Sequence, residues 1–135
     1  MNKITPLEVE RIILKQNYNK APGLDGISAN IIKNIHFSQP SLLMNIFNKC
    51  LELGVFPDSW KVAVVKVIPK STEGNEYSAS SYRPISLLPL LGKCLEKLLI
   101  DRIVHHLLNN NLLSDLQFGF MPMKSTELAV CKAVE

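Results

Sequence analysis

At 135 residues and a formal net charge of +3, the chain is long enough for about one domain and too weakly basic to mark a dedicated nucleic-acid binder by charge alone. Its 47% apolar content supplies ample core, yet no apolar run approaches the roughly 20 residues of a membrane span, and the first residues lack the apolar region of a secretory signal, so an intracellular setting, cytoplasm or nucleus, is expected. Cys50, Cys94 and Cys131 form no CxxC pair and no disulfide framework, so each is expected to be a buried free thiol on a helix in reducing surroundings.

Thr5-Pro-Leu-Glu8 has the form of a capping box with proline at the first helical position. A helix of about three turns is therefore expected within residues 1–19, carrying Leu7, Ile12 and Ile13 inward. The stretch Lys20-Ala-Pro-Gly-Leu-Asp-Gly-Ile27 then demands a tight loop, because two glycines and a proline fall within five residues. Ser28 can cap a short helix through Ile35. A longer helix is expected from about Ser41 to Leu53, with Leu42, Leu43, Ile46, Phe47, Cys50 and Leu51 on one stripe and Gly54 ending it. Pro57-Asp-Ser-Trp60 reads as a turn.

The clearest β signal comes next. Lys61-Val-Ala-Val-Val-Lys-Val-Ile-Pro-Lys70 is rich in β-branched residues and is ended by a proline. Ser81-Tyr-Arg-Pro-Ile-Ser-Leu87 is a second short strand, and residues 71–81 between them are polar and short-chained, a flexible hairpin loop. Paired as a hairpin, the strands bring Lys70 and Arg83 near each other at one rim. A lysine point charge beside an arginine fork suits a multiply charged phosphate group. A solvated lysine at a strand end and an arginine in a turn would produce the same letters.

The longest helix is expected from about Leu90 to Asn109, with Leu91, Leu95, Leu98, Leu99, Ile103 and Leu107 at three- and four-residue steps. His105 and His106 are adjacent, so their side chains point about 100° apart and cannot chelate one metal as an i, i+4 pair could. They read as surface imidazoles. Leu116-Gln-Phe-Gly-Phe120 is extended or irregular, and Ser125 caps a last helix still running at Glu135. The chain reads as cut there, and exposed apolar surface is expected on the long and last helices. No internal repeat and no low-complexity tract appears.

Six phrases in succession carry a resemblance: Lys20-Ala-Pro-Gly-Leu-Asp-Gly-Ile27, Phe56-Pro-Asp-Ser-Trp-Lys61, Ile68-Pro-Lys70, Ser81-Tyr-Arg-Pro-Ile-Ser-Leu87, Gly92-Lys-Cys-Leu-Glu96, and Gln117-Phe-Gly-Phe120 with Ser125-Thr126. In this order, over residues 20 to about 130, the chain resembles the amino-terminal part of the reverse transcriptase domain of non-LTR, jockey-like retrotransposons. The resemblance implies an α+β fold: the helix-rich fingers subdomain of a right-hand polymerase and the edge of its palm, with a small antiparallel hairpin, truncated before the palm catalytic strands. It implies that Lys70 and Arg83 touch the triphosphate of the incoming nucleotide. It also implies template contacts at Pro22, Gly23 and Gly26, and at Gln117, Phe118, Gly119, Phe120 and Lys124. One departure stands in that last segment: Met121-Pro-Met-Lys124 replaces the arginine and glycine usual in the family, with Lys124 a partial substitute.

The family works with an RNA template, a DNA primer, deoxynucleoside triphosphates and Mg²⁺ held by palm aspartates. Asp25, Asp58, Asp101 and Asp115 are the four aspartates here, and none stands at the end of an apolar strand. No metal site, no catalytic residue and no membrane contact is expected in this chain, and it is expected not to extend a primer without the palm and thumb. The implied function is a fragment of an RNA-directed DNA polymerase of a mobile element. The alternatives are a noncatalytic nucleic-acid-binding module, or a protein-interaction module, derived from such an element.

Overall fold

The computed structural model describes residues 3–70, 78–121 and 123–134. Among these described residues it is an α+β structure of five α-helices and one two-stranded antiparallel sheet. Most of the expected 71–81 loop, residues 71–77, lies outside the described residues. Two compact units divide within the longest helix: Met1–Leu98 and Leu99–Glu135.

The first unit begins with helix α1, Pro6–Leu14. The capping box forms: the Thr5 hydroxyl accepts from the Glu8 amide, and the Glu8 carboxylate accepts from the Thr5 amide at 2.8 Å. Ile4 and Val9 flank the cap and are both buried, which fastens the helix entry as a hydrophobic staple. Asn48 closes the joint from the third helix, accepting from the Ile4 amide at 2.6 Å and donating to the Ile4 carbonyl at 3.0 Å. The inward face is Val9, Ile12 and Ile13, not Leu7, which is 72% exposed. Five helical steps separate Leu7 from Ile12, roughly 140° around the axis, so both cannot face inward.

Helices α2, Ala29–Ser38, and α3, Pro40–Leu53, pack with α1 into a three-helix layer. Ser28 occupies the N-cap of α2, but its side chain makes no capping hydrogen bond. The stripe expected on α3 is narrower than read: Leu43 and Phe47 are buried, whereas Leu42 is exposed at the open edge toward α2. Phe47 meets Trp60 edge-on, ring centroids 6.3 Å apart, and Trp60 meets Phe56 edge-on at 5.8 Å. Trp60 sits in the single 3-10 turn Asp58–Trp60 that precedes the sheet. Buried Lys33 of α2 is the costly group in this layer. Its ammonium donates to the Gln16 carbonyl at 2.9 Å and lies 3.5 Å from the centroid of the Tyr18 ring. A carbonyl just past the end of α1 and an aromatic face are both favourable seats for a cation.

Strands β1, Val64–Pro69, and β2, Tyr82–Leu87, pair antiparallel with Val64 opposite Leu87 and Pro69 opposite Tyr82. Only Val64 and Leu87, at the base, are partly covered; every other strand residue is exposed. The hairpin is thus anchored at one end and free on both faces beyond it. Pro69 and Pro84 each remove an edge donor, which blunts this ribbon against pairing with a third strand.

Helix α4, Leu90–Asn109, buries Gly92, Cys94, Leu95 and Leu98 in the first unit. A Cβ on Gly92 would stand 3.0 Å from the Trp60 Cβ and 3.3 Å from Phe56, so the bare glycine is what lets α4 close on the aromatic cluster. Burial pushes the Cys94 thiol up to about 12 and raises the half-buried Cys50 as well. Cys131 corrects the expectation of three buried thiols: it is exposed on helix α5, Thr126–Val134.

The Cys94 environment predicts a pH effect. The thiol ionises near 9.0 when unburied and near 12 when folded, so the folded state holds its proton over a range in which the unfolded state releases it. The stability tied to that proton is complete below the lower value and drains away as pH rises toward the upper one, by at most about 1.4 kcal/mol per pH unit. Urea midpoints compared at about pH 8 and pH 10.5 should fall in wild type and fall less in Cys94→Ala. Equal falls would contradict it.

In the second unit none of the described residues is buried. Ile100, Ile103, Leu108, Leu128, Val130 and Val134 are all substantially exposed. Ser125 caps α5 as expected, accepting from the Leu128 amide at 3.2 Å. His105 and His106 are surface imidazoles, each within hydrogen-bond distance of the asparagine one turn on, Asn109 and Asn110.

Candidate phosphate-binding hairpin

Register decides what the hairpin presents. Ile68 stands opposite Arg83, and Lys66 opposite Ile85. Lys70 lies one residue past β1, and its amide donates to the Ser81 carbonyl at 2.8 Å, continuing the same register. Directly opposed residues share a face, and alternate residues return to it. One face therefore carries Val64, Lys66, Ile68 and Lys70 with Ser81, Arg83, Ile85 and Leu87; the other carries Val65, Val67, Pro69, Tyr82, Pro84 and Ser86. Lys70 and Arg83 are diagonal neighbours on the first face, roughly 7–8 Å apart at the backbone, within reach of one ligand for side chains this long. Both are exposed, and the first face has no carboxylate among its strand residues.

The face also holds a cation that reading along the sequence did not single out. Lys66 lies four residues before Lys70 on the same strand, hence on the same side. Period-two alternation back from Lys70 was the signal that could have found it.

The Pro22–Gly26 loop braces the hairpin. A Cβ on Gly23 would lie 2.5 Å from the Pro89 nitrogen and 2.7 Å from the Leu88 carbonyl carbon, the segment joining β2 to α4. Gly23 is a glycine because protein backbone passes against it. Gly26 has φ of +67° with open space around it and donates its amide to the Gly23 carbonyl, and Asp25 accepts from the Ile27 amide at 3.1 Å. Pro22 is exposed at the mouth of this loop.

In the second unit, Gln117, Phe118, Gly119, Phe120 and Lys124 fall in one irregular segment. Lys124 donates to the Asp115 carbonyl at 2.6 Å and lies 4.9 Å from the Phe118 centroid, so its ammonium clips the segment together. Gln117 donates to the Gly119 carbonyl. Phe120 is wholly exposed with φ of +59°.

Magnesium has no fitting ligand set among the described residues. No three His, Cys, Asp or Glu side chains converge. One Asp25 oxygen accepts from the Ile27 amide, and one Asp58 oxygen meets Lys61 at 2.7 Å, whose hydrogen bond and charge lower the Asp58 pKa. No metal step is therefore derived from this chain. Nor is any helix among the described residues long and apolar enough to cross a membrane.

Residues 68–134 match the family described as "Reverse transcriptase (RNA-dependent DNA polymerase)", a stretch that contains Lys70 and Arg83. The chain is 36% identical over 120 residues, 89% of its length, to the RNA-directed DNA polymerase from mobile element jockey of Drosophila melanogaster. It is 35% identical over 130 residues, 96% of its length, to a protein named a probable RNA-directed DNA polymerase from transposon X-element of the same species. It is 32% identical over 120 residues, 89% of its length, to a retrovirus-related Pol polyprotein from type-1 retrotransposable element R1 of Bradysia coprophila. The chain spans 13%, 14% and 12% of these proteins, a small part of each.

Proposed function

We propose a role that proceeds from the family: the chain belongs to the reverse transcriptases of non-LTR retrotransposons, and its hairpin grips the triphosphate of the incoming nucleotide. It would do so as the fingers and palm-edge portion of an RNA-directed DNA polymerase that copies an RNA template from a DNA primer. The observation that carries this reading is the register, which sets Lys70 and Arg83 diagonally on one exposed face free of strand carboxylates. Lysine supplies a compact charge and arginine a planar fork, and the two together meet the oxygens of a polyphosphate from adjacent directions. Phosphoryl transfer depends chiefly on such positioned charge. Magnesium would be held by parts of the polymerase other than the described residues.

Template contacts divide under this reading. Phe120, aromatic and fully exposed, suits stacking against an unpaired base, with Gln117, Phe118, Gly119 and Lys124 shaping its segment. Pro22 and Gly26 remain open to a strand, whereas Gly23 serves the protein's own packing.

Titration calorimetry with Mg·dTTP tests the proposal. A charge-assisted hydrogen bond contributes about 1.5–3 kcal/mol, so Lys70→Ala and Arg83→Ala should each weaken binding roughly 10- to 150-fold. Both positions are exposed, so thermal stability should stay near wild type. Affinity within about twofold of wild type in both variants would overturn the reading.

A further inference from the structure

We infer that the cavity walled by residues 16–29 and the start of α4 is a site for one small inorganic oxyanion, phosphate or sulfate. It lies apart from the hairpin face, and none of that face's cations lines it. The cavity is largely enclosed and holds about 60 Å³. At roughly 10–15 Å³ for each water-sized position, that is room for about four to six of them, the bulk of one tetrahedral anion with its oxygens. A nucleotide or a polynucleotide strand is too large for it.

The polar lining favours donors. Lys20, from the loop after α1, and half-buried Lys93, from the first turn of α4, both line the cavity. Neither side chain has a hydrogen bond or ion pair among the described residues. Ser28 stands at the entry to α2, yet its hydroxyl makes no capping hydrogen bond. Asn17 spends its side-chain oxygen on the Asn19 amide at 2.9 Å, which leaves its NH₂ group to donate. No aspartate or glutamate among the described residues lines the space. Two ammonium groups brought to one cavity wall without a counter-charge repel each other, the more so away from bulk water. A doubly charged oxyanion reverses that repulsion and offers the lysines, the hydroxyl and the amide charge-assisted acceptors. Held there, it ties the end of the first helix–loop segment to the start of α4, beside the backbone of Leu88 and Pro89 on which Gly23 packs.

Thermal unfolding of the whole chain, followed by Trp60 emission, tests the site with inorganic phosphate in place of chloride at constant ionic strength. An anion that binds only the folded state raises the melting temperature with the logarithm of its concentration, here by about 3 °C or more at about 20 mM. General exclusion of phosphate from the surface gives instead a rise proportional to concentration. Lys20→Ala, at an exposed position, should abolish the logarithmic rise, and so should Lys93→Ala. Lys49→Ala, which removes a surface cation paired with Glu52 at 3.2 Å, should keep it. Sulfate should act as phosphate does, and amide chemical shifts on phosphate titration should saturate at Asn17, Ser28 and Lys93. A rise equally large in Lys20→Ala and Lys93→Ala, or one strictly proportional to concentration, would overturn the inference. A logarithmic rise lost in Arg83→Ala but kept in Lys20→Ala would put the anion on the hairpin, overturning this inference and leaving the proposed function standing.

Discussion

Phe47→Ala should remove about 3–5 kcal/mol of stability, the largest loss of any single truncation considered in this chain. Phe47 is wholly buried in the three-helix layer and is the only residue of α3 whose ring meets Trp60. Its loss leaves a cavity between α3 and the aromatic cluster on which α4 closes, and the rigid ring edges of Trp60 and Phe56 cannot collapse into it. Small domains hold only about 5–15 kcal/mol in all, so roughly a fifth or more of the total is at stake. Trp60 is the sole tryptophan and is its own reporter: its emission should shift to the red, and the urea midpoint should fall by at least about 1 M. A midpoint within experimental error of wild type would show that the cluster does not hold the helices together.

Gly23→Ala should be nearly as damaging, at about 3 kcal/mol. A methyl group at that position would stand 2.5–2.8 Å from backbone atoms of Leu88 and Pro89. Backbone cannot swing aside as a flexible side chain can, so the cost falls at or above the upper end of the usual 1–3 kcal/mol range for overpacking. The joint between the hairpin and α4 must open to admit the methyl, which couples this loop to the phosphate site through geometry. Expected is a drop in melting temperature of about 10 °C or more without any nucleic acid present. Gly26→Ala, strained only by its positive φ in open space, should cost about 1–2 kcal/mol. A Gly23→Ala chain with unchanged melting and weaker strand binding would return the glycine to a template role.

Much of this fold was legible along the chain because its signals are local. The capping box of Thr5 and Glu8, the leucine spacing of α4, the Ser125 cap and the alternating strands each depend on residues a few positions apart, and each appears where expected. The misses share a different cause. Leu7 is exposed because the Ile4–Val9 staple set the rotation of α1. Lys33, on which the sequence reading is silent, is buried because the Gln16 carbonyl and Tyr18 ring, brought by chain reversal, take up its charge. Cys131 keeps its thiol exposed because no described residue of its unit is buried. Contacts between distant residues decide such questions, and one sequence does not display them.

The candidate site was legible in part for the same reason. Two cations flanking a loop could be paired from strand pattern alone, but their face required the register. Pairing Ile68 with Arg83 sets Lys70 and Arg83 on one side and adds Lys66. A slip of a single residue would have sent one of the pair to the apolar face.

Amide chemical-shift mapping on adding Mg·dTTP tests the central claim most directly. The account predicts saturable shifts at Lys70, Ser81 and Arg83, with the apolar-face residues Val65 and Val67 little moved. Shifts confined to other parts of the chain, or none at the hairpin at saturating nucleotide, would contradict it.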